Sequence, residues 1–110
     1  MKYGDEYRHY KGGHYRFLGI AFPVKSGELS AETQSYLTRT GTARYHENTH
    51  DINLFMIDGA YFIDSDVPHV IYQSEKDYQS DHMWAREVDD FFGYILSPEG
   101  NFVRRFAKVD

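Results

Sequence analysis

The chain has 110 residues, contains no cysteine and carries a formal net charge of −5, and 17% of its residues are aromatic. This length predicts one domain spanning residues 1–110, with no room for separate cofactor and substrate domains. The lack of cysteine excludes a disulfide, a thiolate nucleophile and a cysteine-based zinc site. The aromatic content favours a β-rich fold, because aromatic rings suit pleated, half-buried surfaces.

The expected cellular location follows from features that the sequence lacks. Residues 1–6 contain no apolar stretch of the kind found in secretory signals, and apolar runs such as residues 54–57 are too short to cross a membrane. A chain without cysteine also suits a reducing compartment. We therefore expect a cytoplasmic protein with no membrane partner.

The charge is distributed unevenly along the chain. Residues 1–25 carry five Lys/Arg and two acids, residues 26–99 carry four Lys/Arg and 14 acids, and residues 100–110 carry three Lys/Arg and one acid. The ends are therefore basic and the middle is acidic. Because the termini of a domain often lie close together, the two ends can form one positive face. The net acidity argues against strong binding to duplex DNA, which depends on phosphate neutralisation.

The first half of the chain predicts one clear strand, over residues 15–22, which Pro23 ends. The pair Gly12-Gly13 before it indicates a turn, and the triplet at 26–28 (Ser-Gly-Glu) indicates another. Residues 29–46 are ambiguous, because threonines and aromatic residues favour a strand while the start of the segment suits a short helix.

The clearest local pattern is a hairpin over residues 52–63. Two apolar runs, at 52–57 and 60–63, flank Asp58-Gly59, and glycine tolerates the positive φ that tight hairpin turns need. A further strand is predicted at residues 67–73, and the polar residues 74–81 predict a solvated loop.

The last third of the chain predicts strands at residues 83–86 and 101–109. Between them, residues 88–95 form either one helical turn ended by Gly93 or a bent strand. Six or seven short strands with so little helix predict an all-β fold, a small barrel or rolled sheet with one short helical turn.

Several short blocks resemble one protein family. They are Tyr-Arg-His-Tyr-Lys-Gly at 7–12, Val-Ile-Tyr-Gln at 70–73, Met-Trp-Ala-Arg at 83–86, Phe91-Phe92 and Arg105-Phe106. In these blocks the chain is similar to the bacterial and phage family called domain of unknown function 1653. The resemblance implies an SH3-like small barrel or roll and implies no activity.

The chain departs from the pattern of that family in two places. Glu87 follows Arg86 where the family has proline. The middle of the chain is also longer than in typical members, which predicts an insertion around residues 23–42.

The segment His46-Glu47-Asn48-Thr49-His50 matches the motif His-Glu-x-x-His. On a helix, this spacing places both imidazoles on one face to hold zinc, with Glu47 as the general base. Asn48 and Thr49 are weak helix formers, and no further histidine follows at the spacing of the extended motif. We therefore interpret the segment as a turn or strand edge and expect neither a metal nor another cofactor.

A set of aromatic and cationic residues is the more credible site. Flat rings with one polar atom suit stacking on a base or gripping a peptide, and arginine can clamp a phosphate or carboxylate through two hydrogen bonds. The alternative is that the tryptophan and tyrosines of this set only pack the core. The candidate ligand-binding residues are Tyr7, His9, Tyr10, Lys11, Trp84, Arg86 and Arg105.

The sequence therefore favours a non-enzymatic binding module whose ligand is a small anionic molecule, a nucleic-acid end or a peptide. One alternative is a metal-dependent hydrolase that uses His46, Glu47 and His50. Another is an oligomerising structural or regulatory protein, because exposed sheet edges and aromatic surface invite self-association.

Overall fold

A computed structural model describes residues 3–24, 38–47, 50–57, 59–80 and 82–109. The turn expected at residues 26–28 lies outside the described residues. Most of the insertion expected at 23–42 lies outside them as well. Of this insertion, the structure describes only Pro23, which ends one strand, Val24, and residues 38–42, which begin the next strand.

The described residues form ten strands, one 3₁₀ turn at Glu75–Asp77 and one helical turn, α1, at Val88–Phe91. The strands are β1 (Glu6–His9), β2 (His14–Pro23), β3 (Thr38–Tyr45), β4 (Asp51–Ile57), β5 (Ala60–Ile63), β6 (His69–Ser74), β7 (Trp84–Glu87), β8 (Tyr94–Leu96), β9 (Phe102–Arg104) and β10 (Phe106–Lys108).

Six of these strands close into a barrel. Their order is β2-β5-β4-β3-β7-β6, and β6 pairs back with β2 to complete the ring. Two of the pairings, β2 with β5 and β3 with β7, are parallel, and the other four are antiparallel. The prediction of a small all-β barrel with a short helical turn is confirmed.

The two ends of the chain form an extension of the barrel wall. Strand β1 pairs with β2 on one side and with β10 on the other, with Tyr7 opposite Tyr15 and Lys108. The expected closeness of the two basic ends is therefore confirmed for these strands. Strands β8 and β9 form a separate two-stranded ribbon.

The β4–β5 hairpin confirms the strongest local prediction. Its strands end and begin at Ile57 and Ala60, as the sequence pattern indicates. Gly59 has φ of 82°, in the left-handed region that glycine occupies without a steric penalty.

Two apolar cores lie on opposite sides of one wall. The inner core fills the barrel with small and branched side chains, namely Leu18, Ala21, Ala43, Leu54, Ile63, Ile71 and Ala85. The outer core lies between the outside of β2 and β6 and the layer formed by β1, α1 and β10; its members are Tyr7, Phe17, Val70, Tyr72, Phe91 and Phe106.

The prediction of one terminal strand over residues 101–109 was wrong. The segment is two strands, β9 and β10, which break at Arg105 and pair with different partners. The Arg105 amide donates to the Gly93 carbonyl at 2.9 Å, and the Arg105 carbonyl accepts from the Tyr10 amide at 2.9 Å. These two hydrogen bonds hold the point at which the chain leaves the β8–β9 ribbon and begins to pair with β1.

The loop expected at residues 74–81 is exposed at residues 75, 76, 79 and 80, as predicted, and its described residues are also held to the barrel. The buried Gln73 amide donates to the carbonyls of Ser80 and His82, each at 2.9 Å. Asp77 accepts hydrogen bonds from the Ser74 hydroxyl at 2.7 Å and from the Trp84 indole at 2.9 Å. The loop therefore has a defined position beside β7.

Candidate functional site

A group of charged side chains joins the barrel to the outer layer, and we call it the junction cluster; its members are His46, Arg86, Glu87, Asp90 and Arg105. Arg86 Nη1 donates to Asp90 Oδ2 at 2.7 Å. Arg105 Nη2 lies 3.5 Å from Asp90 Oδ1. One carboxylate therefore neutralises two arginines from different parts of the chain.

His46 lies at the centre of this cluster with little access to solvent. Its Nε2 atom is 3.6 Å from Glu87 Oε2 and 3.7 Å from Asp90 Oδ2, and it has no hydrogen-bond partner. Burial, together with the charge of Arg86, lowers the pKa of His46. The imidazole is therefore neutral at physiological pH, although two carboxylates face it.

Glu87 stays ionised for a different reason. Burial, the largest single influence, acts to raise the pKa of its carboxyl group. The hydrogen bond that the Tyr45 hydroxyl donates, a backbone hydrogen bond and the nearby His69 and His46 together outweigh this effect. The pKa of Glu87 is therefore below its ordinary value. His69 Nε2 lies 3.9 Å from the same carboxylate, so Glu87 links the ends of β3, β6 and β7.

The described residues of the His-Glu-x-x-His segment, which are His46, Glu47 and His50, do not lie in a helix. It occupies the five positions between β3 and β4, where the Tyr45 amide donates to the His50 carbonyl at 2.8 Å. The expectation that His46 and His50 lie outside any long helix is confirmed. His46 turns toward the junction cluster while Glu47 and His50 are exposed, and within the described part of the chain no three His, Cys, Asp or Glu side chains are grouped to hold a metal ion.

The N-terminal motif divides between the core and the surface. Tyr7 is buried, with its ring centroid 5.4 Å from that of Phe91, so it packs the outer core and does not face solvent. His9 is half-buried, and its ring lies 4.9 Å from that of Phe106 and 4.5 Å from that of Tyr10. Lys11 is exposed above the ring of Tyr10.

The charge around His9 shows that this region is electropositive. Burial and, after it, the nearby cations Arg86, Arg105 and Lys11 together lower the pKa of His9 to about 4, although Asp90 acts to raise it. The structure thus brings His9, Lys11, Arg86 and Arg105 into one neighbourhood, as the sequence analysis expected.

A cleft of about 450 Å³ opens beside this neighbourhood, on the outside of the barrel. We call it the outer cleft; the lining residues that matter here are Tyr15, His46, Tyr72, Glu75, Lys76, Trp84 and Arg86. Two of the seven candidate residues, Trp84 and Arg86, line it.

Aromatic rings and cations dominate the lining of the outer cleft. Tyr15 and Tyr72 contact each other edge to face at 5.6 Å, and Tyr72 stands opposite Trp84 across the β6–β7 pair. Arg86 Nε donates to the Tyr72 hydroxyl at 3.4 Å. Among the described lining residues, Glu75 is the only carboxylate, against the two cations Lys76 and Arg86.

Comparison of the chain with protein-family models, curated proteins and solved structures finds no match. The resemblance to the domain of unknown function 1653 therefore stays a prediction. Within the described residues, no helix has the length and apolar character needed to cross a membrane.

Most of the lining residues are absent from the candidate list, and Tyr15 and Lys76 show two reasons for this. Tyr15 carries a detectable signal, because it lies two positions before the outer-core residue Phe17 on the same strand and therefore shares its face. Lys76 carries no such signal, because only the docking of the loop at residues 74–81 brings it to the cleft.

Proposed function

We propose that this protein is a non-enzymatic binding module whose outer cleft takes a small planar anion, such as a nucleotide or an aromatic carboxylate. The proposal rests on one observation: aromatic rings and two cations line the cleft, with a single carboxylate among the described lining residues. The cleft volume of about 450 Å³ falls in the range of small-molecule sites.

The rings favour a planar ligand. Tyr15 and Trp84 are partly exposed and give the cleft aromatic surface with few rotatable bonds, and such surfaces stack on flat groups with little loss of side-chain entropy, while the buried Tyr72 supports them from behind. The Trp84 indole is fixed by its hydrogen bond to Asp77, so its ring is already in place before a ligand binds.

The cations favour an anionic group on that ligand. Lys76 is exposed at the cleft, while Arg86 is held by Asp90 and Tyr72 in a fixed orientation. A preorganised guanidinium keeps donors for a phosphate or carboxylate, since the bonds to Asp90 and Tyr72 use only two of its five N–H groups.

The proposal is tested by thermal unfolding with a panel of nucleoside monophosphates, aromatic carboxylates, neutral nucleosides and inorganic phosphate. We expect planar anions to raise the melting temperature, because ligands that bind only the native state stabilise it, and we expect neutral nucleosides and phosphate to act more weakly. Titration of the fluorescence of Trp84, the single tryptophan, then gives the affinity.

The decisive variant is Lys76→Ala, with Lys108→Ala as its matched control. Both lysines are exposed, but only Lys76 lines the outer cleft. We expect Lys76→Ala to weaken the best ligand several-fold and Lys108→Ala to leave it unchanged, because removing an exposed ion pair costs on the order of 1 kcal/mol. Equal effects of the two substitutions, or no stabilisation by any planar anion at millimolar concentration, would refute the proposal.

A further inference from the structure

A second cleft, of about 970 Å³, lies on the other side of the loop at residues 74–81. Its lining includes Leu18 of the inner core, and Tyr61 and Met83 pack against that core. The cleft therefore reaches from the surface to the apolar interior of the barrel, and we call it the barrel-mouth cleft. It shares none of its described lining residues with the outer cleft.

Two β-bulges frame the barrel-mouth cleft. The pairing of β2 with β6 shifts register between Phe17 and Gly19, and the pairing of β3 with β4 shifts between Arg39 and Gly41. Leu18 and Gly41, at these two irregularities, both line the cleft. Bulges concentrate at barrel rims and beside functional sites, where they redirect side chains, so their position here points to a ligand site.

A close approach of side chain to backbone shapes one wall. A Cβ atom on Gly19 would lie 3.0 Å from the Tyr61 ring, which is tighter than most Cβ contacts in proteins. Glycine at position 19 therefore lets the Tyr61 ring approach β2 closely, where it lines the cleft.

The cleft has an apolar floor and a cationic rim. Leu18, Met56 and Met83 contribute branched and thioether side chains, and methionine adapts to ligands of varied shape. Arg16 and Arg44 lie at the rim with one carboxylate, Asp51, among the described lining residues.

The two rim arginines differ in how they are engaged. Arg16 donates to Gln73 Oε1 at 2.6 Å and to the Tyr78 carbonyl at 3.2 Å. Arg44 has its guanidinium carbon 5.8 Å from the centroid of the Trp84 ring, and it forms no ion pair with a carboxylate of the described residues. Of the two rim arginines, Arg44 is therefore the better placed to donate hydrogen bonds to the anionic group of a ligand.

We propose that the barrel-mouth cleft binds an amphipathic carboxylate, with its apolar chain on Leu18 and Met83 and its carboxylate on Arg44. This ligand differs from that of the outer cleft because Leu18, Met56 and Met83 line the barrel-mouth cleft, whereas the outer cleft has no aliphatic or thioether side chain among its described lining residues. A guanidinium pairs with a carboxylate through two parallel hydrogen bonds, which fixes the orientation of the head group.

The test is titration of the protein with decanoate and with decanol, followed by calorimetry and by Trp84 fluorescence. Because Arg44 lies over the Trp84 ring, we expect decanoate to change the indole emission on binding. Decanol keeps the chain and lacks the charge, so we expect it to bind about tenfold more weakly, as the loss of a charge-assisted hydrogen bond predicts.

Arg44→Gln should weaken decanoate about tenfold and leave decanol unchanged. Arg104→Gln is the matched control, because Arg104 also lies over an aromatic ring, that of Tyr94, but far along the chain on the β8–β9 ribbon. Lys76→Ala, in the outer cleft, should also leave decanoate unchanged, which separates this proposal from the one above.

Two results would overturn the inference. One is the absence of decanoate binding below its micelle concentration. The other is equal binding of decanoate and decanol, which would show adsorption to apolar surface without a head-group site.

If Arg44→Gln does not fold, the ratio of decanoate to decanol affinity on the native chain still decides the question. Gly19→Ala, which displaces the Tyr61 ring, then supplies the second variant, and it should weaken both ligands.

Discussion

At the residue scale, Asp90 is the acid on which the charge balance of the junction depends. Its carboxylate contacts Arg86 at 2.7 Å and Arg105 at 3.5 Å, and it lies 3.7 Å from His46. Neither arginine is fully exposed, with side-chain accessibilities of 14% and 26%, so each depends on this neighbour for its compensating charge. Arg86 is thus both a lining residue of the outer cleft and a structural one.

Asp90→Asn should lower the free energy of unfolding by about 1–3 kcal/mol, because it leaves two partly buried cations without a charged partner. Asp89→Asn is the matched control, since Asp89 is the exposed acid next to it on α1. A surface substitution of this kind should change stability by less than about 0.5 kcal/mol. Urea unfolding measures both, and equal losses in the two variants would contradict the structural role of Asp90.

At the scale of elements, the chain is organised by turns whose geometry is set locally and by strands whose partners are distant. The β4–β5 hairpin is of the first kind, since Gly59 supplies a left-handed residue within its turn. The pairing of β2 with β6 is of the second kind, joining residues 15–21 to residues 69–74.

Gly59→Ala should destabilise the fold by about 1–2 kcal/mol, because a Cβ atom is strained at φ of 82°. Gly41→Ala tests the same substitution at a glycine outside the left-handed region, with no atom within 4 Å of the added Cβ. There we expect no loss, or a gain of up to about 1 kcal/mol from the less flexible unfolded chain. If denaturant unfolding gives the same loss of unfolding free energy for both variants, strain at the positive φ of Gly59 does not explain the destabilisation.

At the scale of the whole molecule, the wall formed by β2 and β6 is shared by both apolar cores. Phe91 and Phe106 stack at 4.2 Å on its outer side, and Ile71 is fully buried on its inner side. The outer layer therefore depends on the barrel for one of its faces. His9 and His46 both lie where the barrel meets the outer layer. Protonation of either histidine should therefore weaken the packing of these two layers and lower the stability of the whole fold.

Stability should fall as the pH is lowered from about 6.5 toward 4. The pKa of His9 is about 4 in the folded chain against 6.5 in the unfolded chain, and the pKa of His46 is lowered in the same direction. Between these values the unfolded chain binds more protons, so acid favours unfolding. Glu87 and Asp77, whose pKa values are lowered, lose their contribution only below the ordinary range for carboxyl groups.

The measurement is the free energy of unfolding of the native chain and of His9→Gln at pH 7.5 and pH 5. At pH 7.5 the histidine is neutral in both states and serves as the reference. We expect the variant to lose less stability than the native chain on going to pH 5, since glutamine has no proton to bind. A decline of the same size in both proteins would show that His9 does not titrate in this window.

Features of this fold that depend on short-range interactions could be predicted from the sequence, and features that depend on long-range interactions could not. The hairpin at Asp58-Gly59 was predicted, and a helical turn ended by Gly93 was one of two alternatives for residues 88–95, because turn residues and capping act within a few positions. The break at Arg105 was missed because it depends on backbone bonds to Gly93 and Tyr10, which are distant in sequence. The two parallel pairings of the barrel have no local signal of this kind.

The candidate site likewise contains some residues that the sequence indicated and others whose position only the tertiary structure shows. Trp84 and Arg86 were found because a tryptophan ring suits stacking and an arginine suits anion binding, which are properties of the residue types themselves. Tyr7 and Tyr10 belong to one short motif, yet Tyr7 is buried and Tyr10 is exposed, because α1 and β10 cover only one of them. Lys76 joins the cleft through the hydrogen bonds of Gln73 to the loop.

By itself, the sequence determined the fold class, the hairpin and the helical turn, since these follow from side-chain shape, β propensity and backbone freedom at single residues. Only the tertiary structure decided which residues meet. Closure of the barrel by β2 and β6 places Tyr15 beside Tyr72 and separates the outer cleft from the barrel-mouth cleft. Such contacts depend on the free energy gained when the β2–β6 wall is buried on both faces. Because this burial involves segments far apart in the chain, no single segment of the sequence predicts it.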